Sequence, residues 1–184
     1  MRPTPSVRNV ASSFVVAAVL VACGGAGRWG HARNYVPNSE EKSQIEGARE
    51  LDAPMAQLKP EQWKGAKVRF FLVVSERKPA PGGAAYLTGK IATLNEVNNC
   101  ENKYDDDSCR VTIKPTLHET VHATIALRAE DDVGELRVGT GTLVRVVGQI
   151  SDATDPDDGK LVVQGAWYRQ WPIGYYIKEG DFKQ

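Results

Sequence analysis

The pentapeptide at residues 118–122 carries side chains that can perform metal-assisted hydrolysis. On an α-helix, His118 and His122 would lie on one face and bind one Zn²⁺, while Glu119 would activate a bound water. This chemistry requires the helix, because zinc–nitrogen bonds of about 2 Å bring the two ligand nitrogens to within about 4 Å of each other. On a β-strand the two histidines would lie about 13 Å apart along the chain and could not share one ion.

The residues around this pentapeptide favour a strand. Between residues 110 and 128 the odd positions are apolar except Glu119, and the even positions are polar except Ala126. A period of two is typical of a half-buried strand or of two successive strands. Pro115 and Glu119 are the expected break points. We therefore predict two surface histidines on a strand face, with no metal and no cofactor.

Catalysis stays open only as an alternative. The pentapeptide resembles the signature of the zinc metallopeptidases, which implies zinc ligands at His118 and His122 and a general base at Glu119. No histidine follows residue 122 to complete the ligand set. The alternative interpretation is thus a zinc-dependent hydrolase, and the preferred one is a protein that is not an enzyme.

The elements that hold these residues are mostly strands. Alternating apolar residues predict strands at 67–77, 86–97, 142–150 and 160–171, with Gly89 at a bend or bulge. Asn38 and Glu41 mark a helix start, and the apolar spacing that follows predicts one helix over residues 38–59. The sequence predicts an all-β fold, a small barrel of about five strands that follows one helix.

The first residues have the layout of an export signal. Arg2 and Arg8 precede a short apolar run that ends in Leu20-Val21-Ala22-Cys23. This ending resembles the lipobox of bacterial lipoproteins, and the resemblance implies cleavage before Cys23 and acylation of its thiol and new amino terminus. Acyl chains on Cys23 would hold the protein on a membrane. Gly24 in place of an aspartate implies the outer membrane, with the protein facing the periplasm.

Cysteine and charge counts agree with an exported protein. With Cys23 lipidated, Cys100 and Cys109 remain, and an even pair in an exported protein predicts a disulfide rather than a two-cysteine metal site. The chain has 23 basic and 23 acidic residues, whereas a dedicated nucleic-acid binder usually carries a basic excess. Acidic residues also crowd two predicted loops, at 98–108 and 151–159. These charges predict no nucleic-acid partner.

The last two predicted strands suggest a fold family. Residues 141–150 and 158–165 resemble the final strands of small exported OB-fold domains and of Slp-type outer-membrane lipoproteins. The resulting domain prediction is a signal peptide (1–22), a flexible tether (23–37), an N-terminal helix (38–59), an OB-like β-barrel (60–172) and a C-terminal tail (173–184).

Aromatic residues near the C-terminus are the candidate binding surface. Trp167 and Trp171 share the odd face of the last strand with apolar residues, so we expect them in the core. Tyr168, on the opposite face, and Tyr175 and Tyr176 are the contact candidates. The predicted function is a lipid-anchored binding or structural module of the cell envelope, which contacts another envelope protein or a polysaccharide.

Overall fold

The computed structural model describes Trp29, residues 33–102, Tyr104, Asp105 and residues 108–179. The predicted signal peptide (1–22) and the predicted lipidation site, Cys23, lie outside the described residues. None of the helices within the described part of the chain is long and apolar enough to cross a membrane.

Strands are the main secondary structure of the described chain. Three short helices accompany them: α1 (Ser39–Ile45), α2 (Ala53–Leu58) and α3 (Ala129–Asp132). The eight strands are β1 (Arg49–Glu50), β2 (Lys67–Pro79), β3 (Ala85–Leu94), β4 (Asn99–Cys100), β5 (Cys109–Ile125), β6 (Leu143–Thr154), β7 (Leu161–Trp171) and β8 (Tyr176–Lys178).

Five of these strands form a closed ring. The neighbours run β2–β3–β5–β7–β6, and β6 pairs back onto β2. All pairs are antiparallel except β5 with β7. A five-stranded barrel with this single parallel contact has the topology of the OB-fold. The predicted all-β fold and OB-like barrel are confirmed.

Alternation along the strands builds the barrel core. In β2, Val68, Phe70, Leu72 and Val74 point inward and are almost fully buried. In β5 the pairing with β3 is interrupted between Pro115 and Thr120, where the sequence predicts a break. The apolar period of two therefore gives the core correctly, because each strand has one face on the barrel interior.

Two glycines allow neighbouring strands to approach closely. A Cβ atom on Gly89 would lie 2.3 Å from the carbonyl oxygen of Val73, and one on Gly148 would lie 2.1 Å from that of Gln164. The bulge predicted near Gly89 lies on the partner strand, where the register shifts between Val74 and Glu76. The glycine leaves room for the bulged backbone opposite it.

The N-terminal part departs from the prediction of one helix over residues 38–59. Asn38 caps α1 as expected, accepting a hydrogen bond from the amide of Glu41. The helix ends before Gly47, whose φ of +69° no continuing helix allows. Asp52 then caps a second helix, α2, with Pro54 in its first turn. The prediction missed this division because the apolar spacing continues across both helices.

A second core lies outside the barrel. Phe71, Trp171, Val111 and Ile113 pack together on the outer side of the ring, and Trp29 and Tyr35 are partly buried against them. Part of the predicted tether is therefore ordered. Residue 34 pairs with residue 97, and the amide of Tyr35 donates to the carbonyl of residue 96.

A buried carboxylate fastens α1 to the barrel. Glu41 has no exposed surface and accepts hydrogen bonds from Tyr35, Arg145 and Arg169, the last at 2.7 Å. The two guanidinium groups lie on the aromatic rings of Phe71 and Trp171, each 4.8 Å from the ring centroid. We call Tyr35, Glu41, Arg145 and Arg169 the Glu41 cluster.

The predicted disulfide is confirmed. Cys100 and Cys109 are bonded, and they also pair as neighbours of β4 and β5. The bond closes the acidic loop over residues 101–108 at the start of β5.

Candidate functional site

The pentapeptide at residues 118–122 lies in an extended strand. In β5, Thr120 pairs with Lys90 and His122 pairs with Thr88 of β3. His118 belongs to the same strand, but its side chain lies outside the described residues. An extended backbone separates the two histidines by about 13 Å, so the zinc-hydrolase alternative has no helix on which to form. The hydrolase interpretation has no support in the structure.

His122 instead forms part of a different group. Its Nε2 lies 3.1 Å from both carboxylate oxygens of Asp158, and its Nδ1 lies 3.0 Å from the hydroxyl of Thr88. The ring stacks on that of Tyr86, with 5.3 Å between centroids. The Tyr86 hydroxyl donates to Asp155. We call Tyr86, Thr88, His122, Asp155 and Asp158 the His122 cluster.

Three elements bring this cluster together. Tyr86 and Thr88 alternate with the barrel-core residues of β3 and therefore point outward, as does His122 on β5. The turn between β6 and β7 covers them. The sequence predicts two surface histidines, but His122 is buried beneath this turn. Its place on the polar face was predictable, whereas its cover by a distant turn was not.

The turn over residues 155–159 is held by its own first aspartate. One oxygen of Asp155 accepts hydrogen bonds from the amides of Asp157 and Asp158, at 2.9 and 3.2 Å. Gly159, with φ at +69°, completes the turn. This arrangement orients the Asp158 carboxylate toward His122. The acidic turn is therefore not only solvated, because Asp158 also makes a specific contact with His122.

Hydrogen bonding shifts the acidities of the cluster in opposite directions. The bond from Tyr86 lowers the pKa of Asp155, and the two turn amides add to this effect. Burial and the same bond to Asp155 raise the pKa of Tyr86. The phenol therefore stays protonated, and the carboxylate stays ionised, across the whole physiological pH range.

His122, Asp155 and Asp158 are also the residues here that could hold a cation. One potential ligand atom from each lies within 4.8 Å of the others. Each of these atoms already has a protein partner: Asp155 binds Tyr86 and the turn amides, and Asp158 binds His122 and the amide of Lys160. These hydrogen bonds are sufficient to hold the turn in place, so its order does not require a bound metal.

A groove of about 450 Å³ runs beside the cluster. Tyr86 and Asp155 of the cluster are among its lining residues. The other lining residues are small, hydroxylated, amide-bearing or apolar: Ala80, Pro81, Thr124, Ser151, Ala153, Thr154, Pro156, Val162 and Gln164. In an OB-fold the face of the second and third barrel strands, with the two loops beside it, is the usual ligand surface. The groove meets the edge of that face at Tyr86 and Thr124, and the β6–β7 hairpin and its turn supply most of its lining.

The contact candidates from the sequence lie elsewhere. Tyr168 is buried in the barrel core, where its hydroxyl donates to Asp131 at 2.7 Å, and Trp167 is only partly buried. The reason is a bulge: Ala166 is an extra residue between the pairs of Gly165 and Trp167, so the alternation shifts by one. The expected faces of Trp167 and Tyr168 are thus reversed.

The remaining aromatic candidates flank the second core. Trp171 is fully buried, as expected, although in the second core rather than in the barrel. Tyr175 and Tyr176 are partly exposed beside it. They lie at the opposite end of β7 from the His122 cluster and take no part in the groove.

Comparisons with known proteins find distant similarity to solved structures alone. No protein-family model and no curated protein matches this chain. Among solved structures, the chain is similar to the protein PriB from Ralstonia solanacearum at 13% identity, covering 57% of this chain and 97% of that one, with a TM-score of 0.29.

A single-stranded DNA-binding protein is also among the similar structures. The deletion mutant of the protein from Thermus aquaticus matches at 18% identity over 60% of this chain and 53% of its own length, with a TM-score of 0.30. The wild-type Thermus aquaticus protein matches at 17% identity, with a TM-score of 0.28. The sequence-based prediction of no nucleic-acid partner is contradicted by these neighbours. That prediction rested on the balanced charge of the chain and on its acidic loops, and the similar structures include proteins named for single-stranded DNA binding.

Proposed function

We propose that this chain is a lipid-anchored binding module of a bacterial cell envelope that holds a polysaccharide in the groove beside Tyr86. The protein carries out no reaction. Acyl chains on Cys23 attach it to the membrane, more consistent with the outer than the inner one because Gly24 follows. The groove chemistry is the observation that carries the choice of ligand.

The chemical character of the groove suits a sugar. Sugars present apolar ring faces, which stack on aromatic rings, and hydroxyl groups, which need donors and acceptors at the rim. Tyr86 supplies a ring held in place by His122. Thr124, Ser151 and Gln164 supply polar groups. The OB-fold is also a fold that binds oligosaccharides.

The envelope assignment has separate support. The sequence Leu20-Val21-Ala22-Cys23 resembles a lipobox, and the disulfide between Cys100 and Cys109 is typical of proteins in an oxidising compartment. A polysaccharide ligand is consistent with such a location, because envelope polymers are exposed to proteins there.

The binding proposal is tested with a soluble oligosaccharide of N-acetylglucosamine as the probe. We expect titration calorimetry to detect binding to the purified chain and to lose it in Tyr86→Ala, which removes the stacking ring. Gln164→Ala, at an exposed position, should weaken binding without affecting folding. Tyr104→Ala is the matched control, since Tyr104 is 83% exposed on the loop that the disulfide closes, and it should bind as the parent does.

A parallel titration uses a single-stranded oligothymidylate. If the oligonucleotide binds, the sugar does not, and Tyr86→Ala removes that binding, the groove is a nucleic-acid site and the polysaccharide proposal is wrong. Equal sugar affinity in the parent and in both groove variants also contradicts it.

The anchor is tested in cells. We expect the full chain to fractionate with membranes and its N-terminal peptide to carry lipid mass on Cys23. The variant Cys23→Ser should lose both properties while keeping the disulfide. The anchor would be contradicted if Cys23→Ser still fractionated with membranes and the parent protein carried no lipid mass.

A further inference from the structure

One exposed isoleucine and three half-buried aromatic rings form a surface at the end of the molecule away from the groove. The turn of residues 172–175 presents Ile173 at its apex, 71% exposed, and Gly174 permits the turn with φ at +87°. The Tyr175 ring then packs against the Trp29 ring, tilted by 39° and with 4.8 Å between ring centroids, and Tyr176 follows. We call Trp29, Ile173, Tyr175 and Tyr176 the aromatic surface.

The strands fix how far this surface lies from the His122 cluster. Leu143 pairs with Trp171 at one end of the β6–β7 hairpin, and Thr154 pairs with Leu161 at the other. The His122 cluster and the groove adjoin the second end, and the aromatic surface adjoins the first. Nine residue-to-residue steps along β7, from Val162 to Trp171, separate them by about 30 Å.

The predicted lipidation site is close to the aromatic surface in sequence. Cys23 precedes Trp29 by six residues, and six residues span at most about 20 Å even when fully extended. Trp29 is fixed to the domain, because its carbonyl accepts a hydrogen bond of 2.8 Å from the indole of Trp171. Acyl chains on Cys23 would therefore bring this end of the barrel, and not the groove end, to the membrane.

We propose that the aromatic surface is the membrane-facing surface of the domain and rests in the lipid headgroups. This inference rests on the proposed lipid anchor. Tryptophan and tyrosine suit the membrane–water boundary, because each ring has an apolar body and a polar edge, and Ile173 can enter the acyl region. The groove then faces away from the anchoring membrane, toward the polymers it is proposed to bind.

Charges of both signs lie near the aromatic surface. Tyr176 pairs with Val111, two residues beyond the disulfide, so the acidic loop that carries Glu101 and Asp105 lies at the same end of the barrel. Lys178 lies directly beside Ile173 and Tyr176. The membrane contact is therefore expected to depend on the apolar and aromatic side chains rather than on the charge of the lipid headgroups.

The test places a fluorescent reporter at two equally exposed positions. The lipidated full-chain product is purified from membranes as Ile173→Trp or as Leu58→Trp and is reconstituted into phosphatidylcholine vesicles with brominated acyl chains. Leu58 is the matched control: it is 72% exposed and ends α2, which adjoins the groove end through Ala56 and Leu161. We expect bromolipid to quench the added fluorescence severalfold more strongly at 173 than at 58.

The outcomes separate this inference from the anchor proposal. Intact mass is measured first, and absence of lipid on Cys23 overturns the anchor and the membrane-facing surface together. Lipid on Cys23 with equal or no quenching at 173 overturns the membrane-facing surface alone. Lipid on Cys23 with strong quenching at 173 and weak quenching at 58 supports both the anchor and the membrane-facing surface.

Discussion

The Glu41 cluster and the His122 cluster both place a tyrosine hydroxyl on a carboxylate at the outer face of the barrel. In the Glu41 cluster two arginines complete the set, α1 covers it, and the carboxylate has no contact with solvent. In the His122 cluster a histidine completes the set, a turn covers it, and Asp158 keeps about a third of its side chain exposed. The same tyrosine–carboxylate hydrogen bond thus occurs in a cluster closed to solvent and in a cluster with one solvent-exposed member. We call these the closed and the open cluster.

The difference indicates what each cluster can do. Residues enclosed on every side stabilise the docking of the N-terminal segment, and no ligand can reach them. The His122 cluster instead adjoins a groove, which Tyr86 and Asp155 help to line. The neighbouring groove, rather than the composition of the cluster, marks the His122 cluster as the candidate site.

The largest effect should come from removing the buried charge. Glu41→Gln leaves Arg145 and Arg169 buried without a counter-charge, and breaking a buried ion pair from one side costs about 3–5 kcal/mol. We expect the free energy of unfolding, measured by urea titration, to fall by that amount. The neighbouring Glu40→Gln changes an exposed side chain and should cost far less. Equal losses for the two variants would show that the cluster is not enclosed as described.

A matched pair of tyrosine variants compares the clusters directly. Tyr35→Phe removes a hydrogen bond to the buried Glu41 and should cost about 1.5–3 kcal/mol. Tyr86→Phe removes the equivalent bond to Asp155 in a more hydrated setting and should cost clearly less. Urea titration of both variants measures the difference. A greater loss for Tyr86→Phe would reverse our assignment of the closed and open clusters.

Alkaline pH should affect both clusters in the same direction. Burial and Glu41 raise the pKa of Tyr35, and burial and Asp155 raise that of Tyr86. A raised folded-state pKa gives stability that is complete below the unfolded value of about 10 and is lost as the pH rises beyond it. We expect the urea midpoint to fall from about pH 10 upward, and less so in Tyr35→Phe. A urea midpoint that rises above about pH 10 would contradict the raised pKa values of the two tyrosines.

The smallest effect should come from the open contact. Asp158→Asn keeps the shape of the side chain but removes its charge beside His122, and the exposed position limits the loss to about 1 kcal/mol or less. Thermal unfolding monitored by circular dichroism measures it. A loss comparable with that of Glu41→Gln would mean that the contact between Asp158 and His122 stabilises the fold as strongly as the Glu41 cluster does.

The sequence was sufficient for the barrel but not for the clusters. Residues 110–128 alternate so regularly that strand β5, and with it the failure of the zinc motif, follows from side-chain period alone. The partners of His122 could not be predicted in the same way, because Asp158 is 36 residues away and reaches it only when β6 and β7 fold over β3. Contacts between distant segments carry no local signal.

Single-residue events account for the other errors. Ala166 inserts one residue into β7, and this reverses the expected faces of Trp167 and Tyr168. Gly47 divides a continuous apolar stripe into two helices. Tyr86 was overlooked as a site residue, although its position on the polar face of a predicted strand, followed later by an aspartate-rich turn, offered a signal.

Gly89 and Gly148 allow a close spacing of neighbouring strands that side chains at these positions would disrupt. At each, the next strand's carbonyl occupies the volume where a methyl group would sit, so even alanine would have to push backbone against backbone. Because the ring is closed, a displacement at one seam is passed to all five strands, including the pair that carries Tyr86 and His122. Changes to ligand preference should therefore accumulate in the loops, while these two positions stay without a side chain.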